Sequence, residues 1–86
     1  KNWKNGQKRK LKFTYQEQKD YETIEADIAA LEEKIENLDK EMQTASTDFV
    51  KLNQLVTEKE STEKLLEEKM DRWMYLEDLA ARIAEQ

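Results

Sequence analysis

From Tyr21 to Met42 the apolar residues fall at Tyr21, Ile24, Ile28, Leu31, Ile35, Leu38 and Met42, in steps of 3, 4, 3, 4, 3 and 4. An unbroken alternation of this kind lays one narrow apolar stripe along an α-helix and marks a coiled-coil seam. The intervening residues are mostly Glu, Lys, Asp and Ala, all tolerable or good in a helix. Composition closes off the alternatives. With one Gly, no Pro, 41% charged and 37% hydrophobic residues in 86, a sandwich, barrel or doubly wound sheet has neither the turns nor the core it needs. The chain has no His and no Cys, so an imidazole base, a thiolate nucleophile, a disulfide and the usual zinc site are all excluded. No apolar run nears the roughly 20 residues of a membrane span, and no signal-peptide pattern is present.

Thr14-Tyr15-Gln16-Glu17 has the form of a capping box, which starts a first helix at about residue 15 and carries it to about 44. Thr44 to Asp48 is a cluster of small polar residues, in which Ser46, Thr47 or Asp48 can cap a second helix of about 48–85. The second seam runs through Leu52, Leu55 with Val56, Lys59, Thr62, Leu66, Met70, Trp73, Leu76, Ala80 and Ile83. Acid-before-base pairs at i,i+4 support that helix, namely Glu60/Lys64, Glu68/Arg72 and Asp78/Arg82. A connection over residues 45–47 is short, so the expected fold is all-α: a monomeric two-helix antiparallel coiled-coil hairpin rather than a homodimeric coil. Matching the seams sets Met42 on Leu52, Leu38 on Val56, Ile28 on Leu66, Ile24 on Met70 and Tyr21 on Trp73. A polar layer, Lys59 and Thr62, then faces Ile35 and Leu31, with the Lys59 ammonium expected in water.

The second helix outruns the first, leaving Leu76, Leu79, Ala80 and Ile83 to be covered by the segment Leu11 to Tyr15. Phe13 and Tyr15 are expected to pack there with Tyr21, Trp73 and Tyr75. The expected layout is therefore a basic flexible arm, 1–12, followed by a hairpin, 13–86, with a packed N-terminal segment at its base. The chain begins without Met, which suggests a piece of a longer one.

The net charge of −5 conceals that arm. Six of the 15 cations lie in residues 1–12 with no acid among them, so the other 9 stand against all 20 acids and the remainder carries −11. Clustered cations displace counterions from a nucleic-acid backbone, and Trp3 offers a ring for an exposed base. Lys4, Lys8, Arg9, Lys10 and Lys12 are the candidate phosphate contacts; the plainer alternative is a solubilising linker. Glu32, Glu33, Glu36, Glu63, Glu67 and Glu68 read as solvated helix faces, since no orienting partner turns them into an acid–base pair or cation site. The tip, Thr44 to Lys51, is either a plain connection or a contact point, and exposure of Phe49 decides which.

Two end motifs carry a family resemblance. Lys12-Phe13-Thr14-Tyr15-Gln16-Glu17-Gln18 resembles the Lys-Leu-Ser-Tyr-Lys-Glu-Gln opening of the C-terminal domain of ABC-F ATPases, and Arg72-Trp73-Met74-Tyr75-Leu76-Glu77 resembles the Arg-Trp-x-x-Leu-Glu element near its end. Asp48-Phe49-Val50-Lys51-Leu52 is similar to the start of that domain's second helix, and the Uup-like branch fits best. The resemblance spans about residues 8 to 84. Phe13 stands for Leu, Thr14 for Ser, and Gln16 for the usual basic residue, which removes one positive charge from the base. The resemblance implies a coiled-coil hairpin behind two ATP-binding cassettes of a cytoplasmic protein acting on ribosomes and translation, with DNA, ribosomal RNA or tRNA as the partner. It also implies that ATP and magnesium belong to the parent's cassettes: with no Gly-rich phosphate loop, this chain is expected to bind neither and to catalyse nothing. The competing class is a protein-interaction or spacer coiled coil docking on the parent ATPase or another protein.

Overall fold

The computed structural model describes residues 10–86, which form two helices, α1 (Tyr15–Thr44) and α2 (Phe49–Glu85). Packed antiparallel along their length, they make a rod of 73 × 17 × 16 Å. The capping box opens α1: the Glu17 N–H donates to Thr14 Oγ1 at 3.1 Å, and the Thr14 N–H donates back to Glu17 Oε1 at 2.9 Å. Asp48 caps α2, its Oδ1 accepting from the Lys51 N–H at 3.1 Å.

The reversal between them needs no glycine. Ala45 turns at φ −96°, ψ 17°, its N–H donating to the Glu41 carbonyl, and the Asp48 N–H donates to the Ala45 carbonyl, each at 2.9 Å. Asp48 is then extended, at φ −105°, ψ 93°. No described residue has positive φ, so the turn is open to ordinary residues. Ala45 is buried against Leu38 and Leu55, with Met42 alongside, where a larger side chain would push the helices apart.

Toward the other end Ile24 and Leu76 are shut off from water altogether, at 1% and 0% exposure. Between the ends Thr62 is buried, and its hydroxyl donates to the Glu58 carbonyl at 2.8 Å, so that hydroxyl is satisfied within its own helix.

Three details depart from the sequence expectation. Leu55, not Val56, is the buried partner of Leu38, and Met70 is 41% exposed. The buried line of α2 advances in sevens from Leu55 through Thr62 to Leu76 and passes through Lys69, which leaves Met70 on the flank. Lys59 is half-buried, and its ammonium, expected to meet water alone, pairs with Asp39 across the seam at 2.6 Å from Oδ1. Arg72 turns across to Asp20, at 3.1 Å, and not back to Glu68; of the three expected i,i+4 pairs, Asp78–Arg82 is present, at 3.1 Å.

The two flanks of the seam differ. Asp20, Asp27 and Lys34, seven residues apart on α1, line one flank and reach Arg72, Lys69 and Glu58 at 3.1, 3.3 and 3.4 Å. Glu25, Glu32 and Asp39 line the other, where Asp39 meets Lys59 and the Tyr21 hydroxyl donates to Glu77 at 3.3 Å.

Candidate nucleic-acid interface at the base

Residues 10–14 run into α1: Lys10, Leu11, Lys12 and Thr14 are exposed, whereas Phe13 is half-buried with its ring 5.2 Å from that of Tyr21. Leu11 is held by Gln86, the residue that caps the end of α2. Its N–H donates to Gln86 Oε1 at 2.7 Å, and Gln86 Nε2 donates to the Leu11 carbonyl. A side-chain amide thus supplies both halves of a ladder-like pair, fixing the extended segment across the end of the hairpin. Shallow cavities of about 310 to 440 Å³ groove this rod, and the one here, about 440 Å³, is lined by Lys10, Leu11, Lys12, Phe13, Thr14 and Gln86. No Asp or Glu side chain lines it.

Tyr15 is not in the base cluster. It is 76% exposed, with the Lys19 ammonium 5.3 Å from its ring centroid and donating to its hydroxyl at 3.3 Å. Heptad counting backward from Tyr21 brings Glu17 and Thr14 to the seam and puts Tyr15 outside it, so the signal was present in the sequence. The result is an exposed ring and an exposed ammonium paired in the first turns of α1, a pairing the sequence reading missed.

The other cations near the base are engaged. Arg72 joins Asp20 and stands 5.2 Å from the Tyr75 ring centroid, Lys69 joins Asp27, and Arg82 joins Asp78. Two carboxyls titrate below their ordinary range because these contacts favour the charged form. Glu17 is lowered chiefly by the Tyr75 hydroxyl, which donates at 2.5 Å, and by the Thr14 N–H; Asp20 is lowered by the Gln16 amide and then by Arg72. Tyr75 is raised by the same bond to Glu17, and Tyr21 is raised by desolvation and by Glu77. This is a fastening, with no group poised for proton transfer. Among the described residues no cluster of carboxylates is arranged to hold a metal ion, and no helix is long and apolar enough to cross a membrane.

Of the five cations singled out from the sequence, Lys10 and Lys12 therefore lie together on the base groove, while Lys4, Lys8 and Arg9 lie outside the described residues. Trp73 is half-buried, consistent with packing more than with a stacking surface, and Phe49 at the tip is 74% exposed beside Val50 at 70%.

Comparison with known proteins gives these features a context. The profile of the ABC transporter C-terminal domain matches residues 12–78, which takes in both end motifs. The ABC transporter ATP-binding protein YfmR of Bacillus subtilis (strain 168) is 41% identical over 69 residues, covering 80% of this chain and 11% of that protein. The chain thus spans about a tenth of that relative's length. No solved structure matches it. With its two end motifs, capped hairpin and profile match in register, the chain belongs to the ABC transporter C-terminal domain family.

Proposed function

We propose that this hairpin is a non-catalytic nucleic-acid-binding domain attached to an ATP-binding protein of the ABC-F type, in its Uup-like branch, and that it serves translation in the cytoplasm. The observation that carries the reading is the base groove, where Lys10 and Lys12 stand exposed with no Asp or Glu side chain in the lining. Tyr15 and Lys19 add an exposed ring and a cation in the first turns of α1. Contacts of this type go to phosphates and to the faces of bases, so binding is tolerant of sequence and steep in salt. The acidic helix faces repel phosphate, which confines DNA, ribosomal RNA or tRNA to the base and the arm. ATP and magnesium belong to the cassettes of the parent, and the relative's own description as an ATP-binding protein supports that division of labour.

The test is a titration of the full chain against RNA and DNA at several salt concentrations, repeated with Lys4, Lys8, Arg9, Lys10 and Lys12 changed to Gln. The substituted chain is expected to lose retention, and each lost phosphate contact flattens the slope of log K against log salt by about 0.9 on duplex DNA. Unchanged affinity and slope refute the reading.

A second reading has its own support. Phe49 and Val50 expose two apolar side chains at the tip of a 73 Å rod, as a spacer that docks on a protein partner would. It predicts little nucleic-acid affinity at about 0.15 M salt, where the screening length is about 8 Å.

A further inference from the structure

Both flanks of the seam are grooved, but they differ in charge pairing. Between Glu25 and Glu32 lies a groove of about 360 Å³ lined by these two and by Ile28, Met70 and Trp73. Across the seam the corresponding acids Asp20 and Asp27 each hold a cation, but neither Glu25 nor Glu32 pairs with any cation of the described residues. Trp73 lines the groove, and its indole N–H is shut off from water with no hydrogen-bond partner among the described residues. An apolar floor with a large aromatic and a carboxylate at each end suits a basic segment that carries its own apolar anchor.

We propose that the chain's own segment Lys1 to Arg9 docks along this groove, with Trp3 on Ile28, Met70 and Trp73, Lys4 beside Glu25, and Lys1 beside Glu32. Length and charge both support this occupant. Lys10 lies where Leu11 is fastened to Gln86, and from Gln86 back to Trp73 is thirteen helical residues, about 20 Å. From Lys10 to Trp3 is seven residues, which reach about 23 Å when extended. Glu25 and Glu32 are seven helical residues apart, about 10 Å, and Lys1 to Lys4 spans about 10 Å when extended. Tethering makes the encounter intramolecular, so weak contacts suffice. A docked arm and an arm on phosphate are mutually exclusive, which makes the groove a built-in competitor of nucleic acid. The docking itself stands or falls without nucleic acid present.

The absence of Cys allows a direct test. In the full chain, Asn5→Cys carries a nitroxide, and amide broadening is read by NMR. The amides of Ile28, Met70 and Trp73 are expected to broaden more than those of Leu31 and Leu65 on the opposite flank. That contrast is expected to vanish in about 1 M salt, where the screening length is about 3 Å. It is also expected to vanish in Trp3→Ala and in Glu25→Gln with Glu32→Gln, all with unchanged helical circular dichroism. Equal broadening of the two flanks, or none, overturns the proposal. So does broadening that arises only between a labelled chain and a separate isotope-enriched chain, since that assigns the groove to a second copy.

Discussion

The two ends of the hairpin are closed by different means. At the tip the chain simply turns: Ala45 is small enough to sit between Leu38 and Leu55, Asp48 caps α2, and Phe49 and Val50 are left in solvent. At the base, three pieces of chain must be joined, and the fastening is correspondingly dense. Ile24 and Leu76 are completely enclosed, Phe13 packs on Tyr21, Glu17 serves both the capping box and the Tyr75 hydroxyl, and Gln86 holds Leu11. A covalent turn keeps the tip together for a small loop-closure cost, whereas the base has only side chains to hold ends far apart in sequence. Stability should therefore be concentrated at the base, and the tip left free to make contacts.

The sharpest way to break this comparison is to hollow out each end in turn. Leu76→Ala or Ile24→Ala should cost about 2–5 kcal/mol, toward the upper part of that range because both sites are fully enclosed. Leu55→Ala should fall toward the lower part, since the site lies beside the solvent-open turn. Urea unfolding followed by circular dichroism measures both, and equal losses would end the distinction. Next in size, Thr14→Ala removes the hydroxyl half of the capping box and should cost about 1 kcal/mol.

Smaller still is the pH response, which sharpens the comparison because its groups sit at the base. Glu17 and Asp20 have folded-state pKa values below their unfolded ones. Their contribution is present above the unfolded carboxylate value of about 4 and is lost as pH falls through the folded values. Tyr75 and Tyr21 are raised, so theirs is present below about pH 10 and is lost as pH rises through the folded values. Both losses are expected to be modest because the groups touch solvent. Melting temperature against pH should show a shallow decline on either side, and Tyr75→Phe should reduce it on both. The smallest effect belongs to the tip: Phe49→Ala should change stability by no more than about 0.5 kcal/mol, as an exposed side chain does. A larger loss would mean that Phe49 packs, and would remove the support for a docking tip.

Much of the fold was legible because coiled coils write their geometry locally. The steps of three and four from Tyr21 to Met42 fix a helix and its buried stripe. Thr14 with Glu17 fixes where that helix starts, because the two groups that cap it are three residues apart in the chain. The small polar residues before Phe49 fix where the chain reverses. Lys10 and Lys12 were legible as exposed cations because a charged side chain stays in water when no acid is near it in the chain.

Tertiary structure alone decided which partner each residue takes. A periodic stripe gives a helix face but leaves the rotation of one helix against the other open by about a residue, and Leu55 over Val56, with Lys69 over Met70, is the resolution of that choice. Arg72 had Glu68 available on its own helix and took Asp20 on the other, where Gln16 and Lys69 also bear on the carboxylate. Tyr15 and Phe13, equally apolar to the eye, part company because the first turn of α1 carries one ring outward while the extended segment carries the other in. The sequence by itself determined two capped helices, their seam and the basic character of one end. Only the packed pair decided that Asp20 and Asp27 on one flank take cations while Glu25 and Glu32 on the other border a groove around Trp73, because that depends on distances between side chains some fifty residues apart, which no local pattern contains.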